Sequence, residues 1–137
     1  MKKIIIVTLL AVMALAACGN ETALQTVTFT LDSNPTTGFS WQVTQSEDLF
    51  EVKKDYVSDR TDEALSGVGG RETIVLTPTK AGKAEVTLTY ARPWEGGEAG
   101  DQLVYSFEVD RNLQVTMTGA VGYGTDAPVN TPMPEIK

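Results

Sequence analysis

SNPTTGFSW, residues 33–41, joins two stretches in which every second residue is apolar. The alternating positions are Val27, Phe29, Leu31, Phe39, Trp41 and Val43. An apolar period of two is typical of β-strands that bury one face. The stretch is therefore predicted to be a turn between two strands, with Trp41 in the core.

The same period of two continues through most of the chain. The alternating runs cover residues 49–56, 74–76, 86–90 and 103–109, and residues 113–117 are predicted to continue the last strand after a bulge near 110–112. No segment after the N-terminal apolar run has a helical stripe of period 3.6. Short strands with turn signals between them predict an all-β fold, an antiparallel β-sandwich.

The first 17 residues are predicted to be a secretory signal. Two lysines precede an apolar run over residues 4–17, which is shorter than the roughly 20 residues of a membrane span. The sequence LAAC that ends at Cys18 resembles a bacterial lipobox, so Cys18 is predicted to carry lipid. A signal cleaved nearby, with a chance cysteine, is the alternative. We therefore expect a lipid-anchored protein of the cell envelope, on its periplasmic or surface face. In a Gram-negative source, Gly19 after the cysteine resembles the signal for sorting to the outer membrane.

Composition excludes several function classes. The chain has a net charge of −7, and removal of residues 1–17 leaves 9 basic against 18 acidic residues, a charge of −9. Such a chain has no electrostatic reason to bind nucleic acid. It contains no histidine, which excludes His-dependent triads and His-ligated zinc sites. No pair of carboxylates stands out, so we do not expect the protein to be an enzyme or to bind a cofactor or a metal. We also expect a monomer.

The mature sequence suits one domain. Residues 24–118 carry the strand pattern, residues 18–23 are predicted to be a lipidated cysteine with a short linker, and residues 119–137 carry glycines and prolines without alternation. We therefore expect the final segment to be a flexible tail.

Three loops have unusual composition: loop 1 (residues 34–38, NPTTG), loop 2 (residues 65–70, LSGVGG) and loop 3 (residues 92–97, RPWEGG). Loop 1 is stiffened by Pro35 and two β-branched threonines. The glycines of loop 2 allow close approach of another backbone. Loop 3 presents Arg92 and Trp94, which belong to the residue types most enriched at binding hot spots.

Each loop also has a structural interpretation. Loop 1 could be a turn only, loop 2 an ordinary glycine-rich connection, and Trp94 a lid folded on the core. Tyr90 is predicted to lie in the core or to support loop 3 from beneath. Because the loops of a sandwich fall at its two ends, three unusual loops at one end would form a single surface.

SNPTTGFSW, LSGVGG and YARPWE (residues 90–95), in this order and spacing, resemble the chagasin family of cysteine-protease inhibitors. The resemblance covers roughly residues 24–117. It implies an immunoglobulin-like sandwich that inhibits papain-like cysteine peptidases reversibly, with three neighbouring loops in the active-site cleft. The leading alternative is an adhesive or structural immunoglobulin-like lipoprotein that binds a non-protease partner, and the third is a hydrolase that uses carboxylates.

The resemblance also implies the residues that bind the protease. They are Asn34, Pro35, Thr36, Thr37, Gly38, Phe39, Leu65, Gly67, Val68, Gly69, Gly70, Arg92, Pro93 and Trp94. Thr36 and Thr37 would lie nearest the catalytic thiolate, and loop 2 would pair along the unprimed side by β-augmentation. Leu65 would approach the S2 pocket, although Ser66 before Gly67 makes that superposition imperfect. Loop 3 would lie on the primed side.

Overall fold

A computed structural model describes residues 23–59, 69–94, 96–124 and 129–137. One short 3₁₀ turn, Pro35–Thr37, interrupts an otherwise all-strand order in the described part. The strands are β1 (Val27–Ser33), β2 (Ser40–Gln45), β3 (Phe50–Ser58), β4 (Gly70–Pro78), β5 (Gly82–Ala91), β6 (Ala99–Val109), β7 (Val115–Tyr123) and β8 (Glu135–Ile136). Within the described ranges, no helix is long and apolar enough to cross a bilayer.

The strands form two antiparallel sheets. One has the order β3-β4-β1-β8 and the other β2-β5-β6-β7, so the chain passes from the first sheet to the second between β1 and β2. This arrangement confirms the predicted immunoglobulin-like sandwich. Its cause is the apolar period of two, because the two sheets can bury their apolar faces only against each other.

The core lies between the sheets and is rich in aromatic rings. Phe29 and Tyr105 have ring centroids 4.7 Å apart, and the rings of Phe50 and Phe107 meet edge-on at 5.6 Å. Trp41 is 7 % exposed, which confirms its predicted place in the core. Because Trp41 lies three residues after loop 1, the core extends to the end of the sandwich from which loop 1 projects.

The chain reverses at residues 110–114, where a bulge within one strand was expected. The Asp110 carboxylate accepts hydrogen bonds from the backbone N–H groups of Asn112 (2.8 Å) and Gln114 (2.9 Å). Leu113 has a φ of +60°, the left-handed conformation that such a turn requires. β6 and β7 are consequently neighbours in a hairpin, and the register shift lies further along, between Ser106 and Phe107.

The expected tail differs from the structure over residues 119–123 and 129–137. β7 continues to Tyr123, and β8 pairs with the start of β1 through Val27–Ile136 and Thr28–Glu135. The second half of β7 is hard to recognise in the sequence, because the register shift between β6 and β7 interrupts the alternation of apolar residues. Beyond it, small residues such as Ala120 take the half-buried positions, while Tyr123 is exposed.

The hydroxyl of Tyr105 joins the C-terminal segment to the core. It donates a hydrogen bond of 2.6 Å to the carbonyl oxygen of Pro132, and burial raises the pKa of Tyr105 to about 12. The unfolded chain releases this proton near pH 10, so Tyr105 lowers the free energy of unfolding as the pH rises from about 10 to about 12, by about 1.4 kcal/mol per pH unit.

Tyr105→Phe should remove both the hydrogen bond and this alkaline loss of stability. We expect a decrease of about 0.5–1.5 kcal/mol in the free energy of unfolding at pH 8, and a shallower decline than the wild type above pH 10. Denaturant unfolding at pH 8, 10 and 11 measures both quantities. Tyr123→Phe is the matched control, because Tyr123 is 57 % exposed and should change neither. Equal alkaline slopes in all three proteins would contradict the assignment.

Candidate functional site

Loops 1, 2 and 3 follow β1, β3 and β5. β1 and β3 both run antiparallel to β4, and β5 runs antiparallel to β2, the strand that the chain enters after loop 1. The three loops therefore leave the sandwich at the same end. Contacts between their described residues, given below, show that they form one surface.

Loop 1 is a closed turn with several internal hydrogen bonds. Backbone N–H groups of Thr37 and Gly38 donate to the carbonyl oxygens of Asn34 (3.0 Å) and Pro35 (2.9 Å), and the Thr37 hydroxyl also donates to Asn34 O at 2.6 Å. Pro35 suits the first position of such a turn, because its φ is fixed and it has no N–H to satisfy. Gly38 ends the turn with a φ of +86°, in the left-handed region that favours glycine.

Side chains of β5 and loop 3 hold loop 1 from the neighbouring sheet. The hydroxyl of Tyr90 accepts a 2.9 Å hydrogen bond from the backbone N–H of Asn34, and Nε of Arg92 donates to the carbonyl oxygen of Thr37 at 3.2 Å. Tyr90 also stacks on Phe39, with 5.3 Å between the ring centroids. Tyr90 was predicted to lie in the core or beneath loop 3; it is half-buried, and the loop that it supports directly is loop 1.

The Arg92 guanidinium lies among aromatic rings. Its central carbon is 4.7 Å from the centre of the Phe39 ring and 5.9 Å from that of Trp94, and Nη1 lies 3.4 Å from the carboxylate of Glu98. Guanidinium groups over aromatic faces are attracted by the ring quadrupole. Arg92 therefore links loop 3 to loop 1 within the free protein.

Trp94 packs on loop 1 and not on the core. A Cβ atom placed on Gly38 would lie only 2.5 Å from Cη2 of the indole, so the contact requires glycine. Trp94 is nevertheless 55 % exposed. The indole thus has one side held by loop 1 and a large remaining surface open to a partner.

Loop 2 is described only at Gly69 and Gly70; Leu65, Gly67 and Val68 lie outside the described residues. A Cβ on Gly69 would come within 3.3 Å of the carbonyl oxygen of Ser33, which places loop 2 beside the start of loop 1. Gly70 is buried, and a Cβ there would lie 2.2 Å from Val57 O. The backbones that approach these glycines in the free protein are therefore its own strands.

Glu72 was missed by the sequence reasoning. Its carboxylate is buried and accepts hydrogen bonds from the Ser33 hydroxyl (2.5 Å) and the Trp41 backbone N–H (3.2 Å), and Lys54 Nζ lies 3.8 Å away. A signal was present, because Glu72 has the same parity in β4 as the core residues Ile74 and Leu76. A carboxylate at an inward position is unusual unless it is paired.

Across the described ranges, no group of three or more His, Cys, Asp or Glu side chains could hold a metal ion. What the arrangement offers chemically is a surface of one pre-formed turn and one partly exposed indole, with Gly69 at the end of loop 2 beside them. Such a surface suits recognition of a cleft in another molecule.

Comparison with known proteins agrees with this geometry. Residues 22–109 match the family described as "Chagasin family peptidase inhibitor I42". The chain belongs to the chagasin family. The matched region contains all three loops and the first six strands, so the resemblance read from the three motifs is confirmed.

Three known proteins are similar to this chain over about half of its length. Amoebiasin-1 of Entamoeba histolytica is 41 % identical over 47 % of this chain and 62 % of its own length. Chagasin of Trypanosoma cruzi is 42 % identical over 48 % of this chain and 64 % of its own length, and amoebiasin-2 of E. histolytica is 32 % identical over 50 % and 56 %. The chain thus spans less than two thirds of each relative.

A solved structure supports the fold independently. The cysteine protease inhibitor EhICP2 of E. histolytica matches with a TM-score of 0.50 and 29 % identity, over 59 % of this chain and 75 % of that one. The sandwich of the chagasin family is therefore the fold of this protein.

The contact between Gly38 and Trp94 can be tested by alanine substitution. Gly38→Ala should lower the free energy of unfolding by about 1–2 kcal/mol because of its positive φ. The indole of Trp94 must also move, and because it is 55 % exposed this should add less than about 1 kcal/mol to the loss. Gly96→Ala is the matched control, since Gly96 has a φ of +73° but a Cβ added there would meet no atom within 4 Å. Denaturant unfolding and the NMR signal of the Trp94 indole N–H measure the difference. Equal stability losses with an unchanged indole signal would contradict the contact.

Proposed function

We propose that this protein inhibits papain-like cysteine peptidases reversibly, with loops 1, 2 and 3 in the active-site cleft. The observation that carries the proposal is the closed, braced turn of loop 1 beside the exposed Trp94, in a chain of the chagasin family. Loop 1 enters at the catalytic cysteine with Thr36 and Thr37 nearest the thiolate. Loop 2 lies on the unprimed side, and Trp94 lies on the primed side against an apolar surface.

The hydrogen bonds of loop 1 explain how it can occupy the cleft without being cut. A peptide is cleaved when its carbonyl carbon meets the thiolate at about 3–3.5 Å in an aligned geometry. The carbonyl oxygens of Asn34, Pro35 and Thr37 are each held by donors of the protein itself. Rotation of these carbonyls toward the oxyanion position would break those bonds, so the turn resists the extended geometry of a substrate.

The rigidity of the surface also favours affinity. Ordering a flexible side chain on binding costs about 0.5–1.5 kcal/mol, and ordering a loop adds to that. In the free protein, Arg92 is already placed between Phe39 and Trp94, and loop 1 is already closed. Loop 1 and the Arg92 contacts therefore need little further ordering on binding, and their contacts can contribute directly to the binding free energy.

We propose further that the mature domain is held at the cell envelope by lipid on Cys18, with the outer membrane as its location. The support is the signal-like N-terminus and the LAAC sequence. Cys18 lies outside the described residues. The first described strand begins at Val27, so a short linker would connect the anchor to the sandwich. An anchor of this kind would present the inhibitor to peptidases that reach the membrane surface.

Purified residues 19–137 should inhibit papain reversibly at nanomolar to micromolar concentration and should leave trypsin active. Steady-state assays with increasing inhibitor, followed by dilution to recover activity, measure both points. We expect the specificity to come from the shape of the papain-like cleft, because the surface does not rely on chemistry at the nucleophile. Inhibition of neither enzyme would favour a binding module for a non-protease partner, and equal inhibition of both would also contradict the proposal.

The companion variant Trp94→Ala tests the surface itself. Loss of an aromatic anchor should weaken papain inhibition by about thirtyfold, or about 2 kcal/mol. The melting temperature should change little, because the indole is outside the buried core. A large fall in melting temperature with unchanged inhibition would contradict the proposed role.

The anchor is tested by Cys18→Ser in the full chain. The thiol is the atom that is acylated, so the variant should lose lipid labelling and should leave the membrane fraction or accumulate with its signal uncleaved. Radiolabelled palmitate incorporation and detergent partitioning of cell fractions measure these outcomes. A mature-sized variant that remains membrane-bound would show that Cys18 is not the anchor.

A further inference from the structure

We infer that Glu72 is the positioning residue of the inhibitory surface: its buried carboxylate holds both ends of loop 1, one on β1 of its own sheet and the other on β2 of the opposite sheet. The inference rests on the proposed function for its consequence, but its geometry stands on the free protein. Glu72 lies in β4, away from the surface that would touch a peptidase, so it acts through the loop and not by contact.

The carboxylate joins residues on the two sides of loop 1. Ser33 immediately precedes the loop, and its hydroxyl donates to Oε1 at 2.5 Å. Trp41 follows the loop by three residues, and its backbone N–H donates to Oε2 at 3.2 Å. One buried group therefore sets the separation of the two chain segments between which the turn must close. The Trp41 indole N–H donates to Asp32 O at 3.0 Å and adds a second link across the same base.

The Glu72 carboxylate also satisfies a backbone N–H group at the edge of the second sheet. β2 is an edge strand, so Trp41 has backbone groups that face away from β5 without a strand to pair with. Glu72 accepts from the Trp41 N–H, and Lys54 Nζ donates to the Trp41 carbonyl oxygen. The two side chains come from β4 and β3 and lie 3.8 Å apart. Together they take the place of a neighbouring strand and join the first sheet to the edge of the second.

Glu72, and not Lys54, is the buried charged residue at the base of loop 1. The side chain is only 4 % exposed, whereas Lys54 is 37 % exposed and can remain hydrated if it loses its partner. Among the described residues, buried side-chain polar atoms all have a hydrogen-bond partner, so the cluster is complete as it stands. Removal of the carboxylate would leave the Trp41 N–H and the Ser33 hydroxyl without an acceptor at the base of loop 1.

Glu72→Met tests the inference, because methionine keeps much of the volume and removes both acceptors. We expect papain inhibition to weaken tenfold or more through faster dissociation, and papain to nick the variant between residues 34 and 38. Amide hydrogen exchange of Thr37 and Gly38 in the free protein should accelerate at least tenfold. Glu72→Gln is the conservative rescue, since its carbonyl can accept from the Trp41 N–H while its amide donates to Ser33 Oγ, so it should restore most of the inhibition.

Val109→Ala is the control for stability alone. Val109 is buried at the other end of the sandwich, where β6 pairs with Gly82 and Val115. At a temperature well below its melting point it should inhibit normally, and exchange at Thr37 and Gly38 should not change, because a surface turn exchanges by local opening. A folded Glu72→Met protein that inhibits within twofold of the wild type and exchanges normally would overturn the inference. If the wild type fails to inhibit papain, the proposed function fails, and the exchange measurement alone decides the role of Glu72.

Discussion

The rest of the site depends on one buried carboxylate and the donors that satisfy it. Burying a charge is unfavourable unless it is paired and hydrogen-bonded, and removing one partner of such a group leaves the others uncompensated. Glu72 meets this requirement with the Ser33 hydroxyl, the Trp41 backbone N–H and the Lys54 ammonium group. These partners come from both sheets. The requirement that Glu72 be satisfied therefore fixes the sheets relative to each other at the end where the loops emerge.

A series of contacts connects the Glu72 cluster to loops 1 and 3. Trp41 packs against Tyr90 with ring centroids 5.1 Å apart, and the Tyr90 hydroxyl accepts from the N–H of Asn34 at the start of loop 1. Arg92 then joins the end of the loop to loop 3 through Thr37 O. Each step uses side chains with few free torsions once they are packed. A turn of five residues is thus held at its beginning, at its end and from the side.

The strands and the three loops could be predicted from the sequence, but the Glu72 cluster beneath loop 1 could not. Alternation over β1 and β2 is visible because Phe29, Leu31 and Trp41 are large, and the composition of the loops marks them as unusual. Alternation does not reveal the second half of β7, because a register shift and small inward residues interrupt the apolar pattern there. Glu72 was missed for a related reason. A polar residue inside an alternating strand looks like a break in the pattern, and only its partners, distant in sequence, reveal that it belongs to the interior.

Arg92 shows why loops 1 and 3 act as a unit. The resemblance implies that Arg92 contacts the peptidase. In the free protein its Nε donates to Thr37 O, its Nη1 lies near Glu98 and its central carbon lies over the Phe39 ring. A planar group with several donors can serve the loop with some and leave others for a partner, which a lysine ammonium cannot do with the same geometry. In the proposed inhibitor, loop 3 would therefore contribute to binding in two ways, through the open surface of Trp94 and through the turn that Arg92 keeps closed.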